Sequence, residues 1–172
     1  MEPIFPAPTL VVIGAGHVGK AVVHLAKWLG FRVVVSDDRK EFCNPESVPN
    51  ADEYYPVPMA DLAKSMQITK QTYLVITSRG SGVDVSGLPT LLKSEAKYIG
   101  VIGSKRRWAV TSKALKEQGV KKELINKVHS PIGIELQAET PEEIAVSIMA
   151  EVLMVRDGGS GKKMKNVVES RK

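Results

Sequence analysis

Four groups of residues in this 172-residue sequence could do chemistry. Gly14-Ala15-Gly16-His17-Val18-Gly19 has the spacing of a loop that cradles a pyrophosphate: the first glycine turns the chain off a strand, the second lets the anion approach the backbone, and the third lets the next helix pack close. A loop whose glycines serve packing alone has the same spelling. About twenty residues further on, Asp37-Asp38-Arg39 supplies the carboxylate expected at an adenosine ribose. Asp37 favours NAD over NADP, because it would repel a 2′-phosphate, while the adjacent Arg39 leaves that preference open. The third group is Thr77 with the polar run Ser78-Arg79-Gly80-Ser81-Gly82-Val83-Asp84. The fourth is Gly103-Ser104-Lys105-Arg106-Arg107, where three cations crowd the start of a helix whose dipole prefers acids. Either a phosphate-like anion bound by Lys105 and Arg106 compensates, or the basic turn is simply solvated.

Groups for proton transfer or nucleophilic attack are sparse. His17 belongs to the phosphate loop, His24 to a polar helix stripe, and His129 alone, at a late strand end, is placed to face a crevice. Lys105 is more simply an anion ligand than a proton donor. No catalytic residue is therefore assigned. Cys43 follows Arg39-Lys40, so it is either a thiol whose pKa those cations lower or an incidental small loop residue. One cysteine and three histidines without ligand spacing predict no metal site. A cofactor-binding protein, an NAD-dependent oxidoreductase and an NAD-sensing module all remain compatible with this inventory.

The elements that must position these groups follow from periodicity and punctuation. Leu10-Val11-Val12-Ile13 reads as a buried strand, His17 to Leu29 as an amphipathic helix stopped by Gly30, and Arg32 to Ser36 as a second strand. Prolines at 45, 49, 56 and 58 predict a loop-rich crossover, with Tyr54-Tyr55 a short outer strand and Asp61 to Met66 a brief helix. Tyr73 to Thr77 and Tyr98 to Ile102 are further strands, Val85 to Lys93 is a helix broken or started at Gly87-Pro89, and Val128 to Gly133 contains a last strand with its loop. Thr140-Pro141-Glu142-Glu143 is a capping box with proline at the first helical position, and Arg156 and Gly158 close that final helix. The alternation predicts a single α/β domain, a doubly wound, mostly parallel Rossmann-like sheet of order 3-2-1-4-5-6. The expected boundaries are an extended segment 1–8, a nucleotide-binding domain 9–157 and a flexible basic tail 158–172.

Composition narrows the partners. The net charge of +5 is concentrated in the tail, where Lys162, Lys163, Lys165, Arg171 and Lys172 face only Glu169, and no aromatic residues interleave with them. Nucleic-acid binding is therefore not expected. With 43% hydrophobic residues but no run long enough to span a bilayer, and no signal-peptide pattern at the start, the expected setting is cytoplasmic, without a membrane partner.

Taken together, Gly14 to Gly19, Ser36-Asp37-Asp38-Arg39-Lys40-Glu41-Phe42, Ile99 to Arg107, and Ser130-Pro131-Ile132-Gly133 leading to Ala138 to Ile148 resemble the C-terminal Rossmann domain of the XdhC/CoxI family. The resemblance covers residues from about 8 to 157. It implies an accessory factor for molybdenum hydroxylases such as xanthine dehydrogenase: a homodimer that binds the molybdenum cofactor (molybdopterin), assists its sulfuration with a cysteine desulfurase, and delivers it to the apoenzyme. Most of the family carry a further N-terminal domain, so the resemblance implies either a separate protein supplying that domain or a narrower role. Ser81 stands where the family commonly has histidine, while Arg79, Gly80 and Asp84 match. NAD(H) is expected at the glycine loop, with Gly14, Gly16, His17, Val18, Gly19, Asp37, Asp38, Arg39, Thr77, Ser78, Gly103, Ser104, Lys105 and Arg106 around the crevice.

Overall fold

A computed structural model describes residues 7–168. Five short strands, β1 (Thr9–Ile13), β2 (Arg32–Ser36), β3 (Glu53–Tyr55), β4 (Thr72–Ile76) and β5 (Tyr98–Val101), pair in parallel in the order β3-β2-β1-β4-β5. The helices are α1 (His17–Trp28), α2 (Leu62–Ser65), α3 (Ser81–Leu92), α4 (Lys105–Glu117), α5 (Lys122–Ile125) and α6 (Pro141–Asp157). Near-continuous apolar strands are what a parallel sheet covered on both faces requires. In β1, Leu10 and Val12 join the α1 and α6 side, while Val11 and Ile13 join the α3 and α4 side. Each such buried aliphatic side chain contributes on the order of 1.5–3 kcal/mol.

The expected loop-rich crossover lies between β2 and β3, where Phe42, Cys43 and Val48 pack into the α1 core in place of a helix. The order of strand addition reverses at β1, running outward through β2 and β3 on one side and through β4 and β5 on the other. The carboxyl ends of β1 and β4 thus flank a topological switch point, where such sheets open a crevice.

Two expectations require correction. The sixth strand shrinks to one bridge between Gly100 and His129. His129 N–H donates to Ile99 O and Val101 N–H to His129 O, both at 2.9 Å; Pro131 then stands where the next amide is needed. Having no N–H, it ends the ladder, and Ile132 N–H reaches Val101 O instead, at 3.1 Å. Helix α3 begins at Ser81, four residues before the predicted start, and runs through Pro89. Its first turn is fixed by a tertiary contact at Asp84, described below. Gly87 is needed here, because a Cβ would fall 2.5 Å from the Met59 sulfur of the neighbouring 3-10 turn Met59–Asp61.

The capping box on α6 forms as read, with Thr140 Oγ accepting from Glu143 N–H and Glu143 accepting from Thr140 N–H, and Gly158 closes the helix at φ 74°. Residues 158–168 are exposed beyond it. Most of the expected segment 1–8, and Glu169, Arg171 and Lys172 of the tail, lie outside the described residues.

Candidate functional site at the switch point

The three glycines of the first loop have different reasons to be glycine. Gly14 sits at φ +109°, and a Cβ there would lie 2.5 Å from Thr77 O; a Cβ on Gly19 would lie 2.0 Å from Gly14 O. Those two are demanded by the fold. Gly16 has φ −79° and ψ −166°, open to any residue, and no atom of the described residues lies within 4 Å of where its Cβ would be. Its missing side chain leaves room at the start of α1, beside N–H groups without intrahelical acceptors, and no packing need explains it. Thr77 secures this loop from β4: its hydroxyl donates to Gly14 O at 2.8 Å and its N–H to Ile13 O at 2.8 Å.

Asp37, at the end of β2, is buried against the same loop. Its Oδ2 accepts from Ala15 N–H at 2.9 Å and from Arg39 Nη2 at 2.8 Å, while its Oδ1 accepts from Arg39 N–H and Nε, both at 2.9 Å. Burial pushes this carboxyl up, but the Arg39 guanidinium and the two amides outweigh it and hold it at about 2. Arg39 is itself laid over the Phe42 ring, 4.0 Å from its centroid. Across the mouth, Arg79 Nη2 donates to both oxygens of Asp38, at 2.9 and 3.2 Å. A pocket opens between these pairs, walled by Gly14, Ser36, the Val57–Ala60 turn, Ser78, Val83 and Ser86.

The basic turn after β5 is divided by its first helical turn. Lys105 and Arg106 are exposed and make no ion pair among the described residues. They follow β5, which lies two strand spacings, about 10 Å, from β1. Ser104 caps α4 by accepting from Arg107 N–H at 3.1 Å, and Gly103 (φ +131°) avoids Arg107, whose Cδ would be 2.7 Å from a Cβ there.

Arg107 turns inward, and it is the residue sequence reasoning did not place. Its Nη2 donates to Asp84 Oδ2 at 2.7 Å and Ser78 Oγ at 2.9 Å, and Ser78 Oγ donates in turn to Asp84 Oδ1. Asp84 is fully buried. Ser78 is thus bound into a structural triad linking the β4 loop, α3 and α4. The acid that compensates this cation lies more than twenty residues away, so spacing along the chain could not reveal the pair.

His129 does not face the crevice. It stacks on Tyr98 at 4.7 Å on the α6 side, with Nδ1 3.7 Å from Glu151 Oε1, which also accepts from the Tyr98 hydroxyl at 2.7 Å. Burial, with Glu151 beside it, pushes the Tyr98 phenol far up, so it stays a donor. His17 and His24 are exposed on α1. The activated-thiol reading of Cys43 fails: the side chain is buried, its Sγ donates to Val35 O, and burial pushes its thiol up. No cluster of three metal-ligating side chains occurs among the described residues. None of the described helices is long and apolar enough to cross a membrane.

Residues 10–152 match the family model described as the XdhC Rossmann domain. The chain is 34% identical over 155 residues to "Uncharacterized protein YqeB" of Escherichia coli strain K12, covering 90% of this chain and 28% of that protein. It is 30% identical over 156 residues to a probable xanthine dehydrogenase subunit of Bacillus subtilis strain 168, covering 91% and 45%. Among solved structures it resembles a xanthine dehydrogenase from Bacillus halodurans, with a TM-score of 0.77 and 30% identity over 94% of this chain and 45% of that one. The NAD(P)-binding domain of an exopolyphosphatase-related protein from Archaeoglobus fulgidus shares the fold, with a TM-score of 0.50 and 20% identity over 69% of this chain and 95% of that one. The chain spans less than half the length of the curated relatives it matches.

Proposed function

The chain belongs to the XdhC Rossmann-domain family, and from that premise we propose that it is the nucleotide- or cofactor-binding module of an accessory system for a molybdenum hydroxylase such as xanthine dehydrogenase. Binding, rather than turnover, is its task. The observation that carries this reading is Gly16, the one glycine of its loop whose missing Cβ relieves no clash among the described residues and which stands at the N-cap of α1, beside first-turn amides that have no intrahelical acceptor. A pyrophosphate or a phosphate-bearing pterin gives that geometry a purpose.

The donor set fits the phosphate part of such a ligand. The α1 amides would hold one phosphate, and Lys105 and Arg106 at the far side of the crevice would meet a second anionic group. The molybdenum cofactor, when bound, supplies the metal chemistry; this chain's residues would grip its phosphate and orient it for transfer to the apoenzyme. In the crevice itself, Asp37 is held as a carboxylate by Arg39, and Ser78 is committed to Asp84 and Arg107, so neither is free to shuttle a proton.

Mass spectrometry of small molecules carried through a gentle purification tests the reading. A phosphorylated pterin or a nucleotide in stoichiometric amount supports it. Sustained hydride transfer between NAD and alcohols, hydroxy acids or aldehydes by the purified chain would overturn it in favour of an oxidoreductase.

A further inference from the structure

The adenosine end of the crevice offers hydrogen-bond donors where a ribose diol needs acceptors. Asp37 stands where a ribose-binding carboxylate belongs, yet four N–H donors already occupy its two oxygens, about the full capacity of a carboxylate. An unmodified ribose would have to displace Arg39, which is held by two side-chain bonds, its own backbone amide and the Phe42 ring. The outer edge of the Arg39 guanidinium, Nη1, makes no bond among the described residues, and Arg39 lines the pocket. Arg79 lines it too, with only Nη2 engaged among the described residues, on the half-exposed Asp38. Ser36 Oγ, in a fully buried residue of the same wall, has no hydrogen-bond partner among the described residues. Buried hydroxyls are rarely left so.

We propose, resting on the nucleotide-binding reading above, that this pocket takes an adenosine whose ribose carries a phosphate monoester, and that Arg39 and Arg79 are its specificity-determining residues. Two guanidinium edges converging on one pocket suit the oxygens of a phosphate far better than a pair of hydroxyls. Asp37, already neutralised by Arg39, positions that guanidinium and does not repel the phosphate. Arg79 exchanges its surface bond to Asp38 for the ligand. A 2′-phosphate, as in NADP, and a 3′-phosphate, as in adenosine 3′,5′-bisphosphate, share this chemistry.

Calorimetry on the full chain with NAD, NADP and adenosine 3′,5′-bisphosphate tests it. NADP or the bisphosphate should bind more than about tenfold tighter than NAD, the difference expected from one charge-assisted contact pair. Adenosine 2′,5′-bisphosphate measured against the 3′,5′ isomer, which differs from it in nothing else, identifies which ribose position is phosphorylated. Arg79→Gln, at an exposed site, removes one of the two guanidinium edges and should shrink the NADP-over-NAD preference several-fold; an undiminished preference would overturn the role of Arg79. Arg39→Ala should reverse the preference by freeing Asp37 for the diol; if that variant does not fold, the Arg79→Gln result decides. NAD binding as tightly as both phosphorylated ligands would overturn the proposal while leaving the nucleotide-binding reading intact. Failure of all three ligands to bind would overturn this proposal and the nucleotide half of the reading it rests on, leaving a phosphorylated pterin as the ligand.

Discussion

Replacing Gly16 by valine separates a ligand-serving glycine from a fold-serving one. The extended backbone at Gly16 accepts any side chain and nothing stands within 4 Å of the new Cβ, so no clash accompanies the change. Gly16 is, however, the N-cap of α1, and valine is a poor cap, which costs about 0.5–1 kcal/mol. At this chain length that lowers Tm by roughly 1–4 °C. If the ligand's pyrophosphate lies against this residue, the valine side chain removes at least two amide-to-phosphate bonds of about 1.5–3 kcal/mol each. Affinity should fall by more than about a hundredfold. Gly19→Ala is the contrast, since its Cβ would stand 2.0 Å from Gly14 O and the loop cannot accommodate it without moving. That variant should lose several degrees more of Tm, with or without ligand. Thermal melting by circular dichroism and calorimetry with NADP and NAD measure both quantities. Unchanged affinity in Gly16→Val would refute the placement of the anion, and a melting loss in Gly16→Val as large as in Gly19→Ala would refute the distinction between the two glycines.

The exposed pair Lys105 and Arg106 should matter to ligand and not to fold: changing both to alanine is expected to weaken binding of a phosphorylated ligand by more than about tenfold, with the ligand-free Tm unchanged or slightly raised because two cations leave a helix N-terminus. A lower ligand-free Tm or unaltered binding would contradict this. Arg107→Met should behave oppositely, costing about 3–5 kcal/mol by leaving Asp84 buried and unpaired, and Arg107→Met with Asp84→Leu should recover much of the loss in chemical denaturation. Asp37 makes stability acid-sensitive: its folded value of about 2 lies below its ordinary 3.8, so its contribution, on the order of 2 kcal/mol, is present above pH 3.8 and disappears as the pH falls toward 2. Arg39→Ala should flatten that part of the acid denaturation curve.

Much of this molecule is legible residue by residue because the deciding physics is local. The glycine loop, the Thr140 to Glu143 capping box, the Gly158 stop and the buried runs of β1, β2 and β4 each depend on residues within a turn or a strand of one another. Their alternation with helices leads to the parallel order β3-β2-β1-β4-β5, and spacing alone singles out the residues around Asp37 and Lys105. What stays hidden in the sequence are the partnerships. That Arg39 saturates Asp37 depends on a rotamer chosen with Phe42 and the Ala15 amide, and that Arg107 rather than Lys105 or Arg106 turns inward depends on Asp84 being presented by α3. The start of α3 at Ser81 follows from the same contact, and the collapse of the sixth strand follows from Pro131 meeting the one position in the ladder where Val101 needs a donor. Side-chain periodicity encodes which face of an element is buried, but a buried charge finds its partner only when two distant elements are brought together, and that choice is made by the packed structure.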